Sequence, residues 1–68
     1  MSVFSDRLVL LRENRGLSQK DVAQEFDVVV RAYQRYEYGE REPQLSTHVR
    51  IADFYGVSLD YLAGRTDT

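Results

Sequence analysis

Arg31 and Arg35 stand four residues apart, with Gln34 between them, and are the side chains best suited to chemistry in this 68-residue chain. A guanidinium is planar and carries paired donors. It can grip a phosphate, or the O6 and N7 acceptors of a guanine edge, with two parallel hydrogen bonds. At a helical spacing of four, the two arginines share one face. Catalysis has no comparable set. The chain has no cysteine and a single histidine, His48, so neither a thiolate nor a histidine cluster is available to a metal. There is no Ser/His/Asp or Cys/His arrangement and no phosphate-cradling Gly-rich loop. These residues predict a binding protein rather than an enzyme, with no cofactor and no metal.

The arginines are positioned by residues 18–38, which read as two short helices joined by a tight turn. Ser18 is a good N-cap for the first helix. Asp21, three residues on, resembles the far side of a capping box and sits where the helix dipole favours an anion. Val22, Ala23 and Phe26 give this helix its apolar face, which ends at Phe26-Asp27. Gln19 stands at its N-terminus, where backbone N–H groups attract a phosphate. The second helix runs from about Val29 to Tyr38. Ala32, Tyr33 and Tyr36 lie on one side, and Arg31, Gln34, Arg35 and Tyr38 are left mainly for another. Val29 cannot accept an orphan N–H as a cap, which costs about 1 kcal/mol. One helix fixing a second that offers its polar face to a groove is the helix-turn-helix arrangement.

The remaining chain supplies support. A helix is predicted over 4–15, with Phe4, Leu8 and Leu11 in a stripe widened by Val3 and Leu10, capped by Ser2 or Ser5 and stopped by Gly16. Gly39–Pro43 reads as a loop, because Pro43 restricts Glu42 to extended conformations. A further helix spans about Ser46–Tyr55, with Leu45, Val49, Ile51, Ala52 and Phe54 apolar and His48 exposed without a role. Gly56 stops it. Ser58 caps a last helix, about Leu59–Ala63, which contributes Leu59 and Leu62 to the core before Gly64, and 65–68 reads as a frayed tail. The expectation is a single all-α domain over 1–68, near the lower size limit at which a chain folds alone. No apolar run reaches membrane-spanning length and no signal-peptide pattern is present, which predicts no membrane partner and a cytoplasmic location. The net charge of −2 counts against a generally basic nucleic-acid binder. A local basic surface from Arg31 and Arg35, flanked by Lys20 and Arg41, is still allowed. Its modest field predicts weak non-specific binding unless a dimer doubles the contacts.

The sequence resembles the Cro/lambda-repressor-type, or Xre-like, helix-turn-helix family. The resemblance is carried by Leu11-Arg12-Glu13, Gly16-Leu17-Ser18-Gln19, Val22-Ala23, Tyr36-Glu37-Tyr38-Gly39, Arg41-Glu42-Pro43 and the run Ile51-Ala52-Asp53-Phe54-Tyr55-Gly56-Val57-Ser58-Leu59-Asp60-Tyr61-Leu62. It implies a compact five-helix, lambda-repressor-like DNA-binding domain with the helix-turn-helix at helices two and three. It also implies that Arg12 and Glu37 pair across the interior, that Gln19 contacts the DNA backbone, and that the loop holding Arg41 lies along that backbone. Two positions depart from the family. Asp27 stands where Gly is usual, at some energetic cost. Val29 stands where a polar cap is usual. By resemblance Val29 and Val30 fall at the tip of the recognition helix, where they fit either thymine methyl groups or a protein partner. Family pairing through C-terminal helices makes Tyr55, Tyr61 and Leu62 candidates for a dimer interface, with intramolecular packing as the alternative.

Two functions follow. The first is a sequence-specific transcriptional regulator of double-stranded DNA, of the phage- or mobile-element-repressor kind, dimeric on a near-palindromic operator with half-sites about 34 Å apart. In it Val29, Val30, Arg31 and Arg35 read bases, while Gln19, Gln34, Tyr38 and Arg41 contact phosphates. The second is an antitoxin-like or regulatory protein-interaction module that keeps the fold and binds a protein through Val29, Val30 and the tyrosines of helix three.

Overall fold

The computed structural model describes residues 2–68, and Met1 of the expected 1–68 domain lies outside them. The helices are α1 (Val3–Asn14), α2 (Gln19–Glu25), α3 (Val30–Glu37), α4 (Leu45–Tyr55) and α5 (Leu59–Ala63), with no strand among the described residues. The fold is therefore all-α, with five helices in the expected order. Ser2 caps α1 through a box with Ser5: the Ser5 N–H donates to Ser2 Oγ at 3.1 Å and the Ser2 N–H to Ser5 Oγ at 3.0 Å. Ser58 Oγ caps α5 by accepting from the Tyr61 N–H at 2.9 Å.

The core is built from Phe4 and Leu8 of α1, Val22, Ala23 and Phe26 around α2, Tyr33 and Tyr36 of α3, Ile51, Ala52 and Tyr55 of α4, and Leu62 of α5. Its centre is aromatic. The Phe26 ring meets Phe54 edge-on at 5.4 Å and Tyr55 at 6.1 Å, and Tyr33 meets Tyr36 at 6.2 Å. Tyr33 and Tyr36 are thus core residues and not ligand stackers. α1 packs on α3 and α5, α2 on α3, and α4 on α5. The start of α1 and the end of α5 approach closely: a Cβ added at Gly64, whose φ is +81°, would lie 2.8 Å from Val3 Cγ1.

Four expectations require correction. Leu59, assigned to the core, is exposed, as are Leu45 and Val49 of α4. Leu45 and Val49 face outward because the buried phase of α4 is set by Ile51, Ala52 and Tyr55, and on α5 the inward position is that of Leu62. His48 is half-buried, its ring 4.7 Å from that of Phe4. The segment 65–68 is not loose along its length. Arg7 Nη1 donates to the Thr66 carbonyl at 2.6 Å and to the Tyr61 carbonyl, and its guanidinium lies 4.2 Å over the Tyr61 ring. Tyr55 and Leu62, candidates for a dimer interface, are only 5% and 1% exposed, so their own chain already covers the area a second copy would need. Tyr61 is half-buried beneath Arg7.

Candidate nucleic-acid interface

α2 is closed at both ends by short-range chemistry. The Asp21 N–H donates to Ser18 Oγ at 3.0 Å, and the Ser18 N–H returns a bond to Asp21 Oδ2 at 3.1 Å. Those bonds, the backbone one foremost, hold the Asp21 carboxyl below the usual carboxylate range. Asp27 takes the left-handed conformation, with φ +57°, that the family fills with glycine. This lets the Val28 N–H reach back to the Ala23 carbonyl at 3.0 Å, which closes the end of α2 and turns the chain into α3. Val29 is the N-cap of α3 and makes no side-chain cap bond. It is 71% exposed, whereas Val30 is half-buried and packs on the core. The two valines therefore do not form one exposed apolar patch.

Arg31 and Arg35 are brought together on the exposed side of α3, and the loop after it adds Arg41. With Val29 and Ala32 these three line a hollow of about 290 Å³. Among the described residues none of the three is held in an ion pair. A second hollow, on the other flank, is lined by Arg31, Gln34, Arg35, Tyr38 and Glu40, and Tyr38 is 54% exposed. The arrangement presents planar donors over an apolar floor, suited to base edges and phosphates alike. The Glu40 carboxylate works against an anion on the second flank. Glu42 faces away, lining an apolar groove with Val3, Phe4, Leu45, His48 and Leu59.

The exposed face is tied to the interior through Glu37. Arg12 donates to both carboxylate oxygens, from Nε at 2.6 Å and from Nη2 at 3.1 Å. Tyr33 Oη donates at 2.5 Å and Gln19 Nε2 at 3.0 Å. Burial on its own would push this carboxyl up, but the bonds from Arg12, Tyr33 and Gln19 outweigh it and hold the group below its ordinary value. The same carboxylate raises the Arg12 guanidinium. Arg12 Nη1 also donates to the Leu17 carbonyl at 2.9 Å, fastening the α1–α2 turn. Gln19 is half-buried, and its Oε1 accepts from Gln34 Nε2 at 3.1 Å. Its amide is thus shared between Glu37 and Gln34, a link that sequence spacing does not signal because the residues belong to separate helices.

The helix-turn-helix family model matches residues 8–62, and the chain belongs to this family, of the Xre/Cro type. It is 38% identical over 60 residues to the helix-turn-helix-type transcriptional regulator YqaE of Bacillus subtilis, covering 88% of this chain and 52% of that protein. It is 36% identical over 66 residues to the cryptic phage CTXphi transcriptional repressor RstR of Vibrio cholerae, covering 97% of this chain and 60% of that one. A transcriptional regulator from Listeria innocua has a similar crystal structure, with a TM-score of 0.86 and 30% identity over 90% of this chain and 57% of that one. The chain thus spans a little over half the length of these relatives. The family is one of binding proteins and not of enzymes.

Proposed function

We propose that this chain binds double-stranded DNA sequence-specifically as the operator-recognition part of a transcriptional regulator of the phage-repressor kind, in the cytoplasm. The observation that carries the reading is the convergence of Arg31, Arg35 and Arg41 on one exposed hollow of the helix-turn-helix, free of ion pairs among the described residues. α3 enters the major groove. Arg31 and Arg35 read base edges, Val29 meets a thymine methyl group, and Arg41 and Tyr38 fix the register on phosphates. Gln19 supports this face from the start of α2. Two copies on a near-palindrome supply the contacts that one small domain lacks, with half-sites about 34 Å apart.

The alternative, a protein-binding surface on α3, requires Val29, Val30 and Tyr38 to act as one apolar patch. The packing of Val30 on the core and the arginines between Val29 and Tyr38 favour DNA. The test is selection of bound sequences from a random duplex pool at about 100 mM salt, a concentration at which phosphate contacts still contribute. Enrichment of a near-palindrome is the expected result. Salt-sensitive background without enrichment would overturn the reading.

A further inference from the structure

Gln34 ends a chain of hydrogen bonds whose direction is fixed from the inside. An ionised carboxylate offers only lone pairs, so Glu37 requires the nitrogen of Gln19 to face it. Gln19 Nε2 does so at 3.0 Å, which leaves Gln19 Oε1 pointing outward as an acceptor. That oxygen in turn requires the nitrogen of Gln34, found at 3.1 Å. The oxygen of Gln34 is the free end. Among the described residues it has no hydrogen-bond partner, and the one buried side-chain atom lacking a partner there is Tyr55 Oη, so Gln34 Oε1 is not sealed from solvent. Gln34 lines the hollow shared with Arg31, Arg35 and Tyr38. A glutamine on a free surface can turn either end of its amide outward. Here a turned Gln34 would oppose two oxygens, and turning Gln19 as well would set an oxygen against the Glu37 carboxylate.

We infer that Gln34 is a specificity-determining residue, reading an exocyclic amine in the major groove, adenine N6 or cytosine N4, and that Gln19 and Glu37 position its amide. The inference rests on the proposed docking of α3 in that groove. Major-groove amines are the only donors a base edge presents there, while guanine and thymine present O6, N7 and O4 acceptors. The Gln34 oxygen therefore selects against guanine and thymine at the position it faces. Gln34 Nε2 carries a second N–H, which would complete the paired contact to adenine N6 and N7. This differs from the phosphate role expected for Gln34 from sequence, in which the presented oxygen would have no use, because a phosphate offers acceptors alone.

The test compares selected motifs for the wild type, Gln34→Ala and Gln19→Met, with helical circular dichroism and melting as folding controls. The wild type should show one position per half-site restricted to adenine or cytosine. Gln34→Ala should lose that preference by about 5- to 150-fold and keep the rest of the motif. Gln19→Met should admit guanine or thymine at the same position, because the freed amide can turn its N–H outward; a purely structural role for Gln19 would weaken every sequence alike. The wild type needs no variant for the last arm. Replacing the selected adenine by purine, or the selected cytosine by 2-pyrimidinone, should weaken it by a similar factor, and which analogue acts tells the two bases apart. Equal loss on all sequences with Gln34→Ala, an unchanged motif, or loss at a guanine or thymine position would overturn the inference while leaving DNA binding intact. A wild type that selects no motif would overturn the proposed function and this inference together.

Discussion

Removing the guanidinium of Arg12 should be the most damaging single change to this domain outside its apolar core. The Glu37 side chain is 3% exposed and its carboxylate accepts from Arg12, Gln19 and Tyr33. Arg12→Ala deletes the two charge-assisted bonds and the only cation in the set, and leaves a buried anion with two neutral donors. Two such bonds contribute about 1.5–3 kcal/mol each, and breaking one side of a buried pair costs about 3–5 kcal/mol. The bond from Arg12 Nη1 to the Leu17 carbonyl is lost as well. We take about 3–5 kcal/mol as the expected loss. A chain of this length has a total stability of only about 3–10 kcal/mol, so the variant should be largely unfolded or close to it. If it folds, its melting temperature should fall by at least about 12 °C, at about 4 °C or more per kcal/mol. Urea unfolding followed by circular dichroism measures the change, with Arg12→Leu/Glu37→Leu recovering much of the loss because no charge is then left buried. A loss below about 1 kcal/mol for Arg12→Ala, the range of a surface ion pair, would contradict a buried pair and mean that water reaches Glu37.

Three further outcomes follow from the same geometry. Because the folded Glu37 carboxyl lies below its unfolded value of about 4.3, the stability it contributes is fully present above that pH and is lost as pH falls through the folded value. Urea midpoints measured from neutral pH downward should therefore drop through and below that range; a flat profile would contradict it. Tyr55 Oη is buried without a partner, and burial pushes its hydroxyl up to about 12. Tyr55→Phe should raise stability by about 1 kcal/mol in thermal melts, and a destabilised variant would show that the hydroxyl is satisfied in solution. Arg35→Ala should cost about 1–3 kcal/mol on a selected operator and relax one base position in competition assays, whereas equal loss on every duplex would make Arg35 a phosphate contact.

The parts of this fold legible in the sequence are those governed by local chemistry. Ser18 with Asp21, Ser58, and the turn residues after each helix act within a few positions of themselves, and each did locally what its type dictates. The helix-turn-helix boundaries followed, with Val29 and Tyr38 found just outside α3 as its N-cap and C-cap. What the sequence did not reveal depends on contacts between distant segments. α5 has five residues, too few for periodicity to set its phase, so Leu59 read as core although only Leu62 is buried. Val30 and Val29 are identical in type and adjacent, and only the entry angle of α3 separates an inward side chain from an outward one. Arg7 reaches carbonyls more than fifty positions along the chain, which no local pattern encodes. The Arg12–Glu37 pair is implied by family resemblance, while the extension through Gln19 to Gln34 depends on the relative placement of α2 and α3.

The most direct test of DNA recognition by α3 is to map the surface that meets DNA. Backbone amide shifts of the labelled protein, followed by NMR during titration with a selected duplex, report each residue separately. The largest changes should fall at Val29, Arg31, Gln34 and Arg35, with Gln19 and Arg41 beside them and little change around Val3, Leu45 and Leu59. Changes centred on that apolar groove, or none on α3, would contradict it.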